Sequence, residues 1–254
     1  MATVKIIASD YDGTLNCHGI PENVRAAITA WQAAGNKFGI VSGRGIESLL
    51  WLVDYDKMDC DFLIANNGAV IADGKGRVLS YSEADERLCQ KLVSFVLQSG
   101  GQFATLCNQE NEIYVVDEER KARHADDPQY TTEARYTPRK FTQISTACHD
   151  KDAAMALTEK INAAFSDDVT ALLNGRSIDI VPVGVDKAFG VRELCSLWQI
   201  GEDAVCTVGD NYNDVAMLKA FRSYAVANAV DYVKQIANTV VQDIAELCEK
   251  ENAR

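Results

Sequence analysis

Short apolar runs separated by polar, turn-forming stretches open the chain. Val4 to Ala8 (VKIIA) is a β-type run that passes into Asp10 to Asn16 (DYDGTLN), the pattern of a buried strand meeting a loop. Pro21 then opens a helical pattern with Val24, Ala27, Ile28 and Trp31 on one face, stopped by Gly35. Phe38 to Val41 reads as a second strand ending in Ser42-Gly43-Arg44, and Ile46, Leu49, Leu50 and Val53 recur at helical spacing. Phe62 to Ala65 is a third apolar run, ending in Asn66-Asn67-Gly68. Strand, helix, strand, helix, strand predicts a parallel sheet covered by helices.

Near residue 70 the rhythm changes. Val70 to Ala72 and Arg77 to Tyr81 flank Asp73-Gly74-Lys75-Gly76 and predict a hairpin. From about Glu83 the order becomes a helix (Leu88, Leu92, Phe95, Val96), strands Gln102 to Leu106 and Glu112 to Val116, and then a long polar segment. A strand over Phe141 to Ala147 follows, with a helix carrying Leu157 and Ile161 and a hairpin of Val169 to Leu173 and Ser177 to Val181 around Asn174-Gly175. After Pro182 and Gly184 the α/β rhythm returns with a helix through Leu194 and Leu197, the strand Val205 to Val208, and a helix opened by Gly209 to Asp214 (GDNYND). The predicted fold is α/β: a Rossmann-like parallel-sheet core from residues 1–82 and 184–254, with an inserted α+β cap domain over 83–183. Asp117 to Lys140, polar and mixed in charge, reads either as a solvated loop or as a lid element. Trp31, Trp51 and Trp198 fall in helical patterns and are assigned to packing, whereas His18, His124 and His149 lack partners at ligand spacing and are assigned to the surface.

Composition narrows the function classes. A chain of 254 residues, against about 150 residues per domain, has ample length for a buried core. Lys and Arg number 25 against 37 Asp and Glu, a net charge of −12, which disfavours nucleic acid and anionic membrane as partners. Eight cysteines show no CxxC spacing, and the first apolar run is too short for a signal-peptide core. The expectation is a cytoplasmic protein, monomeric or a small homo-oligomer, acting on a small molecule.

Parallel sheets bind ligands beyond the carboxyl ends of their strands. Asp10 and Asp12 follow the first strand, Ser42 the second, Lys187 opens the helix after the insertion, and Asp210, Asn213 and Asp214 follow the strand Val205 to Val208. Clustered aspartates repel one another unless something positive sits among them, and hard oxygen ligands suit Mg²⁺. A phosphorylated substrate is what Mg²⁺, Lys187 and the backbone N–H groups near Gly43 would jointly hold.

DYDGT (Asp10 to Thr14), VSGR (Val41 to Arg44), VGVDK ending at Lys187 and GDNYND (Gly209 to Asp214) resemble the four motifs of the haloacid dehalogenase-like hydrolases. IDIVPVGVDKAFGV, NNGA at Asn66 to Ala69 and the placement of the insertion resemble the Cof-type sugar-phosphate phosphatases of that superfamily. The resemblance implies a Mg²⁺-dependent phosphatase of small phosphorylated metabolites, with sugar phosphates expected, working through an aspartyl-phosphate on Asp10. It implies Asp12 as acid and base, and a metal held by Asp10, the main-chain carbonyl of Asp12, and Asp210. Ser42, Gly43, Lys187 and Asn213 would bind or orient the phosphoryl group, and Thr14 and Asp214 would support the ring of groups.

The chain departs from the pattern at Ser42, where the family often has Thr, and at Ala225-Val226-Ala227, where it has glycine-methionine-glycine. The acidic-glycine loop near the C-terminus is absent from Val240 to Glu249. Arg44, Asn174 and Arg176 are candidates for leaving-group specificity, against the readings of a sheet-edge cap for Arg44 and an exposed turn arginine for Arg176. A phosphosugar mutase is the alternative within the superfamily; a dehalogenase needs neither Asp12 nor a metal. A non-catalytic receiver-like phospho-acceptor groups similar residues, but in about half this length and with no inserted domain.

Overall fold

The computed structural model describes residues 4–253. In chain order it forms β1 (Ile6–Ser9), α1 (Glu22–Ala33), β2 (Lys37–Val41), α2 (Ile46–Tyr55), β3 (Phe62–Ala65), β4 (Val70–Asp73) and β5 (Val78–Tyr81). The middle of the chain continues with α3 (Glu86–Gln98), β6 (Ala104–Cys107), β7 (Glu112–Val116), α4 (Glu118–Arg123), β8 (Tyr130–Thr132), β9 (Gln143–Ala147), α5 (Lys151–Ala164), β10 (Val169–Asn174) and β11 (Ser177–Pro182). The last third supplies α6 (Lys187–Trp198), β12 (Val205–Gly209), α7 (Val215–Ala220), β13 (Arg222–Val226), α8 (Asp231–Ile236), β14 (Thr239–Val241) and α9 (Ile244–Asn252).

Two compact units emerge. The first takes in the chain up to Arg44, Ser48–Ser80 and the chain from Asp186; the second takes in Gly45–Glu47 and Tyr81–Val185. In the first unit the sheet order is β14-β13-β12-β1-β2-β3-β4-β5. β1 pairs in parallel with β2 on one side and β12 on the other, and β4 turns back antiparallel on β3. Every residue of β1 is buried, as expected of a central strand covered on both faces. Because the chain leaves β1 toward β2 and returns through β12, the crevice at the carboxyl end of β1 is a topological switch point.

The second unit has its own sheet, β10-β11-β9-β6-β7-β8, mostly antiparallel. Leu92 and Val96 of α3, Leu157 and Ile161 of α5, and Leu106, Ile144 and Ile178 of the strands share its core. Aspartates recur as helix openers: Asp85, Asp150, Asp186 and Asp243 each accept a hydrogen bond from the first turn of α3, α5, α6 and α9. Each such cap contributes about 1 kcal/mol.

Two expectations need correction. The segment Asp117 to Lys140 is neither wholly loop nor featureless: it holds α4, capped by Asp117, and β8, paired in parallel with β7. α4 buries no residue and is held by acidic residues in its first turn and basic ones in its last, so it shows no apolar periodicity to read. Trp51 is not core. It stands 62% exposed on α2, stacked on Tyr55 at 5.2 Å, while Trp31 is fully buried and Trp198 packs edge-on against Phe62. His18, His124 and His149 are exposed.

Candidate active site

Asp10 follows β1, and its N–H donates to the Val208 carbonyl at 3.0 Å, which ties the ends of β1 and β12 together. The carboxylate is 4% exposed. Lys187, the first residue of α6, is fully buried at its side chain, with Nζ 2.7 Å from Asp10 Oδ1 and 2.6 Å from Asp214 Oδ1. A cation at a helix N-terminus is disfavoured by the helix dipole, so this lysine is held by the carboxylates rather than by its helix. Asp214 is engaged on both oxygens: its second oxygen accepts the N–H groups of Asp210 at 2.9 Å and Asn211 at 3.0 Å.

Asp210 is half-buried, and its Oδ1 accepts a hydrogen bond from Thr14 Oγ1 at 3.1 Å. Gly13 sits against this carboxylate with φ +86°, and a Cβ there would lie 2.5 Å from Asp210 Oδ2. Glycine therefore answers both a backbone conformation and a close approach. Asn228 Nδ2 donates to the Gly13 carbonyl at 2.7 Å.

Three carboxylates face one ammonium. Burial first, and then the charge of Asp214, push the Asp10 carboxyl up to about 8, with Lys187 only partly opposing them. Burial and Asp214 push Asp210 up to about 6. Lys187 moves upward despite its burial, because Asp10 and Asp214 both favour its charged form. One oxygen from each of Asp10, Asp210 and Asp214 lies within 4.8 Å of the others. Asp214 is already engaged on both oxygens, whereas Asp10 Oδ2 is buried and has no hydrogen-bond partner. An excess of buried negative charge, an unpartnered carboxylate oxygen and an all-oxygen donor set fit a hard divalent cation held through Asp10 and Asp210.

Asp12 is a different kind of carboxylate. It is 54% exposed and forked by Arg44, with Nε and Nη2 each 2.7 Å from one of its oxygens. Such an exposed pair contributes little stability, up to about 1 kcal/mol, but it fixes the direction of the carboxylate. Ser42 is buried, its Oγ accepting the Arg44 N–H at 3.1 Å and its carbonyl accepting the Asn67 N–H at 3.0 Å. Asn66 donates in turn to the Arg44 carbonyl at 2.9 Å, so the Asn66-Asn67-Gly68 turn clamps the Ser42-Gly43-Arg44 loop. Asn66 and Asn67 have positive φ, and a Cβ on Gly68 would fall 2.0 Å from the Asp186 carbonyl.

Direct hydrogen bonds thus link Asp10, Lys187, Asp214, Asp210 and Thr14, and a separate ion pair joins Asp12 to Arg44. Gly43 and Asn213 are half-buried in the loops after β2 and β12. Asn174 and Arg176 belong to the second unit, exposed at the β10–β11 turn. Sequence reading passed over Asn228, although it stands in the Ala225-Val226-Ala227-Asn228 stretch singled out for departing from the family. It also passed over Asp56, which is buried and carries no motif signal.

The haloacid dehalogenase-like hydrolase family model matches residues 7–246. Among curated proteins, the chain is 26% identical over 238 residues to the 5-amino-6-(5-phospho-D-ribitylamino)uracil phosphatase of Escherichia coli, covering 89% of this chain and 86% of that one. It is 36% identical over 93 residues to the phosphoglycolate phosphatase of Pyrobaculum islandicum, which spans 37% of this chain and 41% of that one. Among solved structures, a haloacid dehalogenase-like hydrolase from B. subtilis superposes with a TM-score of 0.82 at 20% identity, over 97% of this chain and 99% of that one.

Proposed function

Since the chain belongs to the haloacid dehalogenase-like hydrolases, as a phosphoric monoester hydrolase, we propose that it is a Mg²⁺-dependent phosphatase of small metabolites, sugar phosphates foremost. The observation that carries this reading is the Asp10 carboxylate, buried, held on one oxygen by Lys187 and unpartnered on the other.

In this reading Asp10 attacks phosphorus and forms a P–O bond as the ester P–O bond breaks, while Asp12, released from Arg44 and protonated before the step, hands that proton to the departing alkoxide. Water then attacks the aspartyl-phosphate, Asp12 takes its proton, and inorganic phosphate leaves with Asp10 regenerated. Lys187 favours the charged form of Asp10, against burial and Asp214, and neutralises part of the charge gathered around the phosphoryl oxygens, with Ser42, the Gly43 N–H and Asn213 as their further partners. Asp214 keeps Lys187 and the Asp210 loop in place, and Thr14 fixes Asp210. Asp10, Asp210 and the main-chain carbonyl of Asp12 would hold Mg²⁺, which when bound offsets the repulsion between an anionic nucleophile and an anionic ester.

Every phosphoryl-handling side chain in this scheme lies in the first unit. We therefore assign leaving-group choice to the second unit, with Asn174 and Arg176 as candidates alongside Arg44. All eight cysteines are free and seven are buried, which supports action in a reducing cytoplasm. No helix among the described residues is long and apolar enough to cross a membrane.

The deciding experiment presents purified protein and Mg²⁺ with a panel of sugar, polyol, nucleotide and cofactor phosphates, alongside p-nitrophenyl phosphate. Repeated release of inorganic phosphate that is lost in Asp10→Asn is expected. Isomerised sugar phosphate without release would make the protein a mutase, and a single stoichiometric phosphorylation would make it a phospho-acceptor.

A further inference from the structure

We propose that Asp56, together with Tyr11 and Asn16, is a positioning group that aims Asp12 at the leaving-group oxygen; this rests on the acid and base role proposed above for Asp12. Asp56 lies one residue past the C-terminal end of α2, and it is 7% exposed. A carboxylate there faces the negative end of the helix dipole and gives up hydration, so neither the helix nor the core gains from it. What it gains is partners from another part of the chain. Tyr11 OH donates to Asp56 Oδ2, and Asn16 Nδ2 donates to the same oxygen at 3.0 Å and to Tyr11 Oη at 3.0 Å. The Arg25 guanidinium donates to the Asp56 carbonyl and fixes the backbone at that point.

Tyr11 and Asn16 are the two ends of one hoop. Asn16 N–H donates to the Tyr11 carbonyl at 2.9 Å and Gly13 N–H donates to the Asn16 carbonyl at 3.0 Å, two bonds that tie Asn16 to the backbone on either side of Asp12. Asp12 sits inside this hoop with its side chain pointing out to Arg44. A single buried carboxylate therefore grips both feet of the segment that carries the proton-transfer group.

The nucleophile is anchored separately. Asp10 is held by its backbone bond to Val208 and by Lys187, both outside the hoop. Loosening Asp56 should consequently misplace Asp12 while leaving Asp10 in register. Misplacement on the scale of 1 Å can cost about a hundredfold in rate, and general acid–base catalysis contributes about 10² to 10⁴-fold.

The test compares Asp56→Ala, Asp56→Asn and Tyr11→Phe on two substrates: the alkyl phosphate hydrolysed fastest in the panel, and p-nitrophenyl phosphate, whose leaving group needs little protonation. Asp56→Ala and Tyr11→Phe are expected to lose about tenfold or more in kcat on the alkyl ester and less than about threefold on the aryl ester, with KM little changed. Asp56→Asn, which keeps an acceptor oxygen, should recover part of the loss. In an Asp12→Asn background the Asp56 and Tyr11 substitutions should cost less than about twofold more, because the group they aim is gone. Equal losses on both esters, or the full loss persisting beside Asp12→Asn, in protein whose melting stays within a few degrees of the parent, would overturn the proposal. If Asp56→Ala does not fold, Tyr11→Phe, which removes one hydroxyl, carries the same comparison. If Asp12→Asn itself shows no leaving-group dependence while Asp10→Asn is dead, the acid role fails and this inference falls with it; a live Asp10→Asn instead removes the phosphatase reading.

Discussion

Replacing Lys187 with methionine removes the one ammonium that faces Asp10 and Asp214 while keeping most of its volume. Both carboxylates are buried, at 4% and 0% exposure, so neither can turn to water. Asp214 retains two backbone N–H donors, but Asp10 Oδ1 loses the hydrogen bond from Lys187. Breaking a buried ion pair from one side costs about 3–5 kcal/mol. At about 2–4 °C per kcal/mol for a chain of this size, the melting temperature should fall by about 6–20 °C. Adding Asp214→Asn removes one of the stranded charges and should recover about half of that loss, with no recovery of activity. The three tryptophans, Trp31, Trp51 and Trp198, all lie in the first unit, so fluorescence-detected melting reads that unit selectively. The penalty should be larger near pH 8 than near pH 5, since Asp10, raised to about 8, is protonated at the lower value and less in need of a cation. A melting temperature within about 2 °C of the parent near neutral pH, or a penalty independent of pH, would refute the assignment of Lys187 as the counter-charge of this site.

Three further outcomes follow from the same geometry. Asp10 and Asp210 are raised to about 8 and about 6, so in metal-free protein their contribution to stability is present at low pH and is lost as pH rises through those values. Melting in chelator should accordingly fall between about pH 5 and pH 8.5, and Mg²⁺ should restore both the melting temperature and phosphate release; a flat profile, or full activity in chelator, counts against the metal. Asp10→Asn should form no phosphoenzyme, whereas Asp12→Asn should retain relatively more activity on p-nitrophenyl phosphate than on a sugar phosphate, and equal losses would argue against the acid role. Gly13→Ala places a Cβ 2.5 Å from Asp210 Oδ2 at φ +86°; a cost of about 1–3 kcal/mol and a weakened Mg²⁺ requirement curve are expected, and normal Mg²⁺ affinity would show the loop gives way elsewhere.

Much of this architecture is written locally. Phe62 to Ala65 is an apolar run bounded by polar residues, and it is β3 without adjustment. The aspartates that open α3, α5, α6 and α9 act on N–H groups three residues away, within reach of a sequence window. The motif loops at Asp10 to Thr14 and Gly209 to Asp214 are legible for the same reason: short loops at strand ends need particular residues at particular spacings. Where the signal is weak, the reading stops. α4 buries nothing and β8 is three residues long, so neither displays a period, and the charged stretch around them reads as loop. Trp51 sits in a helical pattern yet faces outward, because helical spacing states which residues share a face and not which face is covered.

The pairings that make the site were decided only in three dimensions. Lys187 meets Asp10 across 177 residues and Asp214 across 27, and the choice between an ordinary helix-start lysine and a buried counter-charge depends on both contacts. Asp56 is one acidic residue among 37 Asp and Glu in sequence, with nothing at a fixed spacing to mark it. Its meaning comes from Tyr11, 45 residues earlier, and from burial, which makes an unpaired carboxylate costly. Local chemistry therefore set the strands, the caps and the motif loops at the strand ends, because hydrophobic period and turn geometry act over a few residues. Charge pairing acts through space and depends on desolvation, which exists only once the sheet has brought its strand ends together.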